Sequence, residues 1–331
     1  MSVPPTLPIE PAPLAPVNDT DPAPTKPIGT VSSPVRGRPR LRGRIGRVLA
    51  WAFLIASLVL TLFPFYWMLR TSFSSNAALA ANSGNLLPAE FSLGGWKRVL
   101  GLATPEEALA DGGSGASLDF WLYLRNSIIV ATITTVVQTF FCALAAYAFA
   151  RLRWPGRDAM LFLFLTALMI PPIFTTLPNF ILIRDLGLLN TFLGIMLPSL
   201  LMAPFSIFFL RQFFLGIPKE LEEAARLDGA GYARTFFQVV APISSAPIMT
   251  LAILTYIGTW NEYFWPLLVG RSEEVRVLTV ALGVFRSQTP QGSPDWAGLM
   301  AATLISALPI IILFALMGKR VINSIGFSGL K

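Results

Sequence analysis

Six stretches of the chain are apolar for long enough to cross a bilayer. They run Gly46 to Leu69, Trp121 to Phe149, Ala159 to Ile183, Phe192 to Leu215, Ala246 to Val269 and Ala297 to Met317. A hydrocarbon core of about 30 Å needs roughly 20 apolar residues per helix, so the pattern predicts six transmembrane helices. Barrel strands would show short alternating segments instead, and the sequence has none. Between the fourth and fifth stretches lies a polar segment, EEAARLDGAGYARTFFQVVAP, Glu222 to Pro242. Pro218 suits a first helical position, and Glu220, Glu222 and Glu223 put negative charge near the positive end of a helix dipole. A helix is expected from Pro218, with Leu221, Ala224 and Ala225 as its apolar face and Gly229 taking the left-handed conformation that ends it. A second short helix should run from Tyr232 through Phe236, Phe237, Val239 and Val240 until Pro242 stops or kinks it. Two readings of this hairpin are open. Its small alanines let another surface approach closely, as in a groove-docking helix, or it lies amphipathically on the headgroups.

Composition agrees with a membrane protein. The chain of 331 residues is 54% hydrophobic and 13% charged, with mean hydropathy +0.63. Before the first apolar stretch lie a proline-rich tail, residues 1–40, and the basic run RGRPRLRGRIGR. The tail cannot bury enough apolar surface to order itself and reads as disordered. The apolar run after the arginines is too long for a signal-peptide core and reads as a spanning anchor.

Charge sets an orientation. With the N-terminus in the cytoplasm, Arg70, Lys97, Arg98, Arg125, Arg184, Arg271, Arg276 and Arg286 fall outside and the other 17 of the 25 lysines and arginines inside. Both termini and the hairpin are then cytoplasmic. The same distribution explains the pI of 9.9, and basic patches interleaved with aromatics are missing, so no nucleic-acid partner is implied. The arginines before the first helix are placed to touch anionic lipid. The single cysteine, Cys142, excludes an intrachain disulfide and reads as a small buried apolar residue. With no histidine, common zinc sites are not expected, and Ser-His-Asp and Cys-His chemistry is excluded.

The string Glu223-Ala224-Ala225, Asp228-Gly229 and Val239-Val240-Ala241-Pro242 resembles the EAA loop of ABC importer permeases, with Ala241 where that family usually has leucine. The stretches NSIIVATITTVVQTFFCALAAYAFARLRWPGR, MIPPIFTTLPNFILIRDLGLLNT, FFLRQFFLGIPKELEEAARLDGA and TWNEYFWPLLV extend the resemblance from about Leu41 to the C-terminus. It is nearest to the carbohydrate-import permeases that include the second maltose permease subunit; residues 1–40 and Pro105 to Ser117 fall outside it. The resemblance implies an all-α fold of six transmembrane helices, the type I importer permease fold, over residues 41–331. It implies an external loop over 70–120 and a coupling loop over 216–245 that sits in a cleft of an ATPase subunit. Glu223, Ala224, Ala225, Asp228, Gly229 and Pro242 are then the ATPase-coupling residues. The implied partners are a second homologous permease, two ATP-binding subunits that hold ATP and Mg, an external solute-binding protein and a sugar. The implied place is a bacterial or archaeal inner membrane. No phosphate-binding loop G-x-x-x-x-G-K-[ST] occurs in the chain, which fits a subunit without cofactor or catalysis of its own.

For a solute path, the segment from Thr259 to Val269 puts Asn261 and Glu262 in the outer half of the fifth helix, flanked by Trp260, Tyr263 and Trp265. A carboxylate at membrane depth costs roughly 2.5 to 3.5 kcal/mol and should face protein or water. Aromatic faces and polar groups together suit a sugar. The competing reading makes the aromatics an interfacial belt and pairs Glu262 with an arginine. Gln138, Thr175, Thr176 and Asn179 would bond to neighbouring helices. Pro171-Pro172, Pro198 and Pro204 kink the third and fourth helices, either to shape a gate or as irregularities of packing. A proton-coupled secondary transporter using Glu262 is the alternative function, and an intramembrane enzyme lacks its side chains.

Overall fold

A single helix of 32 residues, Phe120–Arg151, organises the fold. Its buried positions include Tyr123, Asn126, Val130, Thr134, Gln138, Cys142, Ala146 and Phe149, so one stripe at helical spacing is covered along its whole length. The computed structural model describes residues 41–81, 84–88, 90–113, 118–287 and 294–326; the tail read as disordered, 1–40, lies outside them. The chain forms two units, Met1–Val59 and Leu60–Lys331.

In chain order the helices are α1 (Leu41–Ser72), α2 (Asn76–Ala81), α3 (Gly94–Val99), α4 (Pro105–Ala110), α5 (Phe120–Arg151), α6 (Arg157–Ala167), α7 (Pro172–Asp185), α8 (Phe192–Leu200) and α9 (Pro204–Leu215). They continue with α10 (Lys219–Leu227), α11 (Tyr232–Thr235), a π-turn (Phe236–Val240), α12 (Ala241–Ile243), α13 (Ser245–Asn261), α14 (Phe264–Val269), α15 (Leu278–Ser287) and α16 (Trp296–Gly326). Among the described residues the only β pairing is an isolated bridge, Ser74 with Phe91.

Among the described residues, three helical segments are long and apolar enough to span a bilayer unbroken: Gly46–Ser72, Phe120–Arg151 and Trp296–Leu316. The other expected spans are bent pairs. α6 and α7 meet at 100°, α8 and α9 at 45°, and the helix ending at Ile243 meets α13 at 80°. Six crossings result if each bent pair is one span. Proline explains two of the breaks, because Pro172 and Pro204 sit in the first turn of α7 and α9, where a missing N–H costs nothing. The break at Ser244 changes one expectation: Pro242 lies inside the helix and does not stop it. A proline at 242 cannot donate to the carbonyl four residues back. The helix passes through a π-turn in which Ala241 N–H bonds Phe236 O, and bends only afterwards.

Three apolar clusters hold the second unit together, and α5 contributes to each. Cys142, Ala146, Tyr147 and Phe149 pack with Ile207, Leu210, Phe214, Phe236 and Val240. Phe120, Tyr123 and Ala131 pack with Val99, Trp260, Phe285 and Ala301. Val130 packs with Ile183, Ile195, Val269 and Val277. The Phe120 end is also tied by charge. Arg98 meets Asp295 at 2.6 Å and Asp111 at 2.8 Å, and Asn76 Nδ2 donates to Asp295 Oδ1 at 2.7 Å. α3 can approach the start of α16 this closely because Gly95 has no side chain; a Cβ there would lie 2.7 Å from the Ala297 backbone.

Candidate functional site

The broken helices open a cavity of about 570 Å³ beside α5. Its walls come from α5 (Ser127, Thr134, Gln138), α7 (Thr175, Thr176, Asn179), the α8–α9 break (Pro198, Ser199, Phe205) and the region from α13 into α14 (Thr255, Thr259, Trp260, Glu262, Trp265). Most polar groups on the wall are hydroxyls and amides. Thr175 and Thr176 donate to the Pro172 carbonyl at 2.9 and 3.0 Å, using acceptors within their own helix. The Thr134 hydroxyl is buried with no hydrogen-bond partner among the described residues. Gln138, Thr175, Thr176 and Asn179, expected to bond to neighbouring helices, all line this cavity, and the bonds of Thr175 and Thr176 stay within α7.

Among the described residues, Glu262 is the only acidic or basic one of the lining. Its placement differs from the expectation. α13 ends at Asn261, and Glu262 is extended, with φ −65° and ψ 126°. Its carboxylate accepts the N–H groups of Phe264 at 3.1 Å and Trp265 at 3.2 Å. The first N–H groups of a helix have no intrahelical partner and carry partial positive charge, so the start of α14 holds this carboxylate. None of the ion pairs among the described residues includes Glu262.

The neighbouring candidates separate. Trp265 lines the cavity and donates from Nε1 to Ile195 O at 3.0 Å. Trp260 is buried and stacks on Tyr256 with centroids 5.9 Å apart, and part of it reaches the cavity. Asn261 and Tyr263 are not among the lining residues. Asn261 donates to Ile257 O at 2.8 Å, and the Tyr263 ring lies against Gly283.

The hairpin between α9 and α13 is the second candidate. Pro218 is the residue before α10, with ψ 133°, and the helix begins at Lys219. The apolar face expected from Leu221, Ala224 and Ala225 does not point into the protein. Leu221 and Leu227 are exposed, the latter at 90%, as are Glu223, Ala224 and Asp228, with Ala225 half-buried. The buried residue of α10 is Glu222, whose carboxylate meets Arg151 Nε at 2.7 Å. Burial here follows the ion pair, because an arginine inside a packed end of α5 needs a counter-charge more than the hairpin needs another apolar contact. The C-terminus of α10 is as expected. Gly229 has φ +80°, and the bonds Gly229 N to Arg226 O and Ala230 N to Ala225 O make the paired closure that favours glycine there. Pro242 is exposed, and Phe236 anchors the second arm against Tyr147 and Phe214.

The sequence reading missed the link between Arg151 and Glu222. The one available signal was weak: both residues fall on the same predicted side of the membrane with opposite charge.

Comparison with known proteins agrees with this architecture. Residues 138–325 match the family model of the binding-protein-dependent transport system inner membrane component. The probable ABC transporter permease protein YurM of Bacillus subtilis is 33% identical over 96% of this chain and 100% of its own length. The trehalose/maltose transport system permease protein MalG of Thermococcus litoralis is 30% identical over 86% of this chain and 97% of its own. Among solved structures, a bacterial ABC transporter involved in the import of the acidic polysaccharide alginate has a chain that matches with a TM-score of 0.71 at 25% identity, over 84% of this chain and 97% of that one. The chain is a multi-pass membrane protein with the helical ABC importer permease fold, and it belongs to the family of inner membrane components of binding-protein-dependent transport systems.

Proposed function

We propose that this chain is the transmembrane permease subunit of an ATP-driven sugar importer, forming half of the translocation path and coupling it to ATPase subunits in the cytoplasm. The observation that carries the proposal is the pairing, in one unit of a permease-family chain, of a polar cavity with a hairpin whose outer face is left open. Relatives named for trehalose and maltose, for diacetylchitobiose and for arabinooligosaccharides support a sugar as the solute. The hydroxyls and amides on the wall, with Trp260 and Trp265 beside them, suit a polyhydroxy ligand.

In this reading Glu223, Ala224, Asp228 and Gly229 lie on the open side of the hairpin and engage the ATPase, while Ala225 and Pro242 shape its two arms. Both termini are cytoplasmic. ATP and Mg are held by two partner subunits; a second homologous permease completes the path, an external binding protein delivers the solute, and this chain catalyses nothing. The alternative, a secondary transporter moving a proton on Glu262, has less support: one carboxylate already holding two backbone N–H groups is a poor relay.

The first test is purification of the chain in gentle detergent. An ATP-hydrolysing subunit should come with it and be lost on Glu223→Lys. Absence of any ATPase from the wild-type preparation across several detergents would sink the proposal.

A further inference from the structure

Three polar contacts tie the Arg151 end of α5 to α9 and to the start of the hairpin. Arg151 Nε meets Glu222 Oε1 at 2.7 Å, and Arg151 Nη2 donates to Ile217 O at 2.5 Å. Arg211 Nε, on α9, donates to Phe149 O at 3.3 Å. Both side chains of the ion pair are 5% exposed. Two of the nearby cations have contacts of their own. Arg157 pairs with Asp158 at 2.8 Å, and Arg226 lies over the Tyr232 ring at 5.0 Å. Around the pair, Phe214, Ile217, Phe236 and Val240 pack with Tyr147 and Phe149.

A helix that only had to rest on the protein could bury an apolar residue at position 222 with no desolvation cost. A buried ion pair is a poor stabiliser compared with apolar packing, but it has one defined geometry and is costly to pull apart. It therefore resists relative movement of the two elements it joins. On the other side of it, α5 presents Gln138 and Thr134 to the cavity. Gln138 precedes Arg151 by about 20 Å of helix at 1.5 Å per residue, with no proline between them.

We infer that Arg151 and Glu222 form a strut that makes the hairpin, α5 and α9 move as one body, so that displacement of the open hairpin face is delivered to the cavity wall. The inference rests on the proposed coupling to ATPase subunits and divides two adjacent carboxylates by role. Glu223 faces outward to engage the partner. Glu222 faces inward and is a positioning residue, acting through Arg151.

The test uses the complex purified with its ATP-hydrolysing subunits, with Cys142→Ala removing the native thiol and Gln138→Cys placing one on the cavity wall. The readout is the labelling rate of that thiol by a small methanethiosulfonate reagent, with and without ATP plus vanadate. With the strut intact the rate should change about tenfold between the two states; with Glu222→Gln, or with Arg151→Met as a second route to the same loss, it should change less than about twofold, within the usual span of coupling between sites. In both variants the ATPase subunit should still co-purify and hydrolyse ATP. A purely structural role would lower yield without separating hydrolysis from the labelling response. The strut is overturned if both variants keep the full response, or if both lose the ATPase subunit that the parent retains. A parent that brings down no ATPase overturns the coupling proposal itself, and the strut with it.

Discussion

The two ends of α5 each bury an arginine, and they treat it differently. At the Phe120 end Arg98 is enclosed by Asp295 and Asp111, with Asn76 bonded to the same Asp295, whose side chain is 0% exposed. Backbone groups complete the enclosure, with Gly298 N–H on Asp295 and Ala297 N–H on Asn76. At the other end Arg151 has one carboxylate, Glu222, and the helix that supplies it leaves its opposite face bare. A network satisfied from several elements fixes them relative to one another. A tie made from one side only fixes a helix to its support and leaves a surface for something else. The first arrangement suits a part that stays put and the second a part that is pushed.

That contrast can be broken most directly at Asp295. Asp295→Leu strands Arg98 with only the partly exposed Asp111, and should cost about 3 to 5 kcal/mol, read as lower membrane abundance and an earlier thermal transition in detergent. Pairing it with Arg98→Met should recover most of the loss. Glu222→Gln should cost less, about 1 to 3 kcal/mol, because a neutral side chain of the same shape keeps the packing while removing the counter-charge that ties Arg151. If it destabilises as much as Asp295→Leu, the hairpin is integral to the fold rather than mounted on it. Asp111→Asn comes next at about 0 to 1 kcal/mol, since its side chain is 19% exposed and water can replace the charge. Smallest is Glu223→Lys, an exposed change that should stay within about 0.5 kcal/mol in the same melt while removing the ATPase from the purified complex. A large loss of stability there would merge the two carboxylates into one role.

The legible parts of the molecule were those governed by local rules. Long apolar runs located the spanning segments, and the left-handed glycine at 229 was readable because few other residues tolerate that backbone. Which face of the hairpin the rest of the chain covers was not legible, because helical periodicity records where apolar residues lie and not what packs on them. α10 turns Glu222 inward against the pattern of Leu221, Ala224 and Ala225 because an arginine 71 positions earlier in the chain lies there. Glu262 was misplaced for a related reason. An apolar run long enough to span can contain a break, and this carboxylate caps the helix that begins after it.

The sequence by itself determined that the chain enters a membrane, which segments cross it, where a polar hairpin interrupts them and which family motif that hairpin carries. These follow from transfer free energy and backbone preference, properties of each segment alone. Only the tertiary structure decided that Gln138, Thr175, Asn179 and Glu262 share one cavity, that Arg98 gathers Asp111 and Asp295, and that Glu222 rather than Glu223 is the buried member of its pair. Such pairings depend on how helices cross and where they bend, and a buried charge takes whichever partner the packing brings within reach.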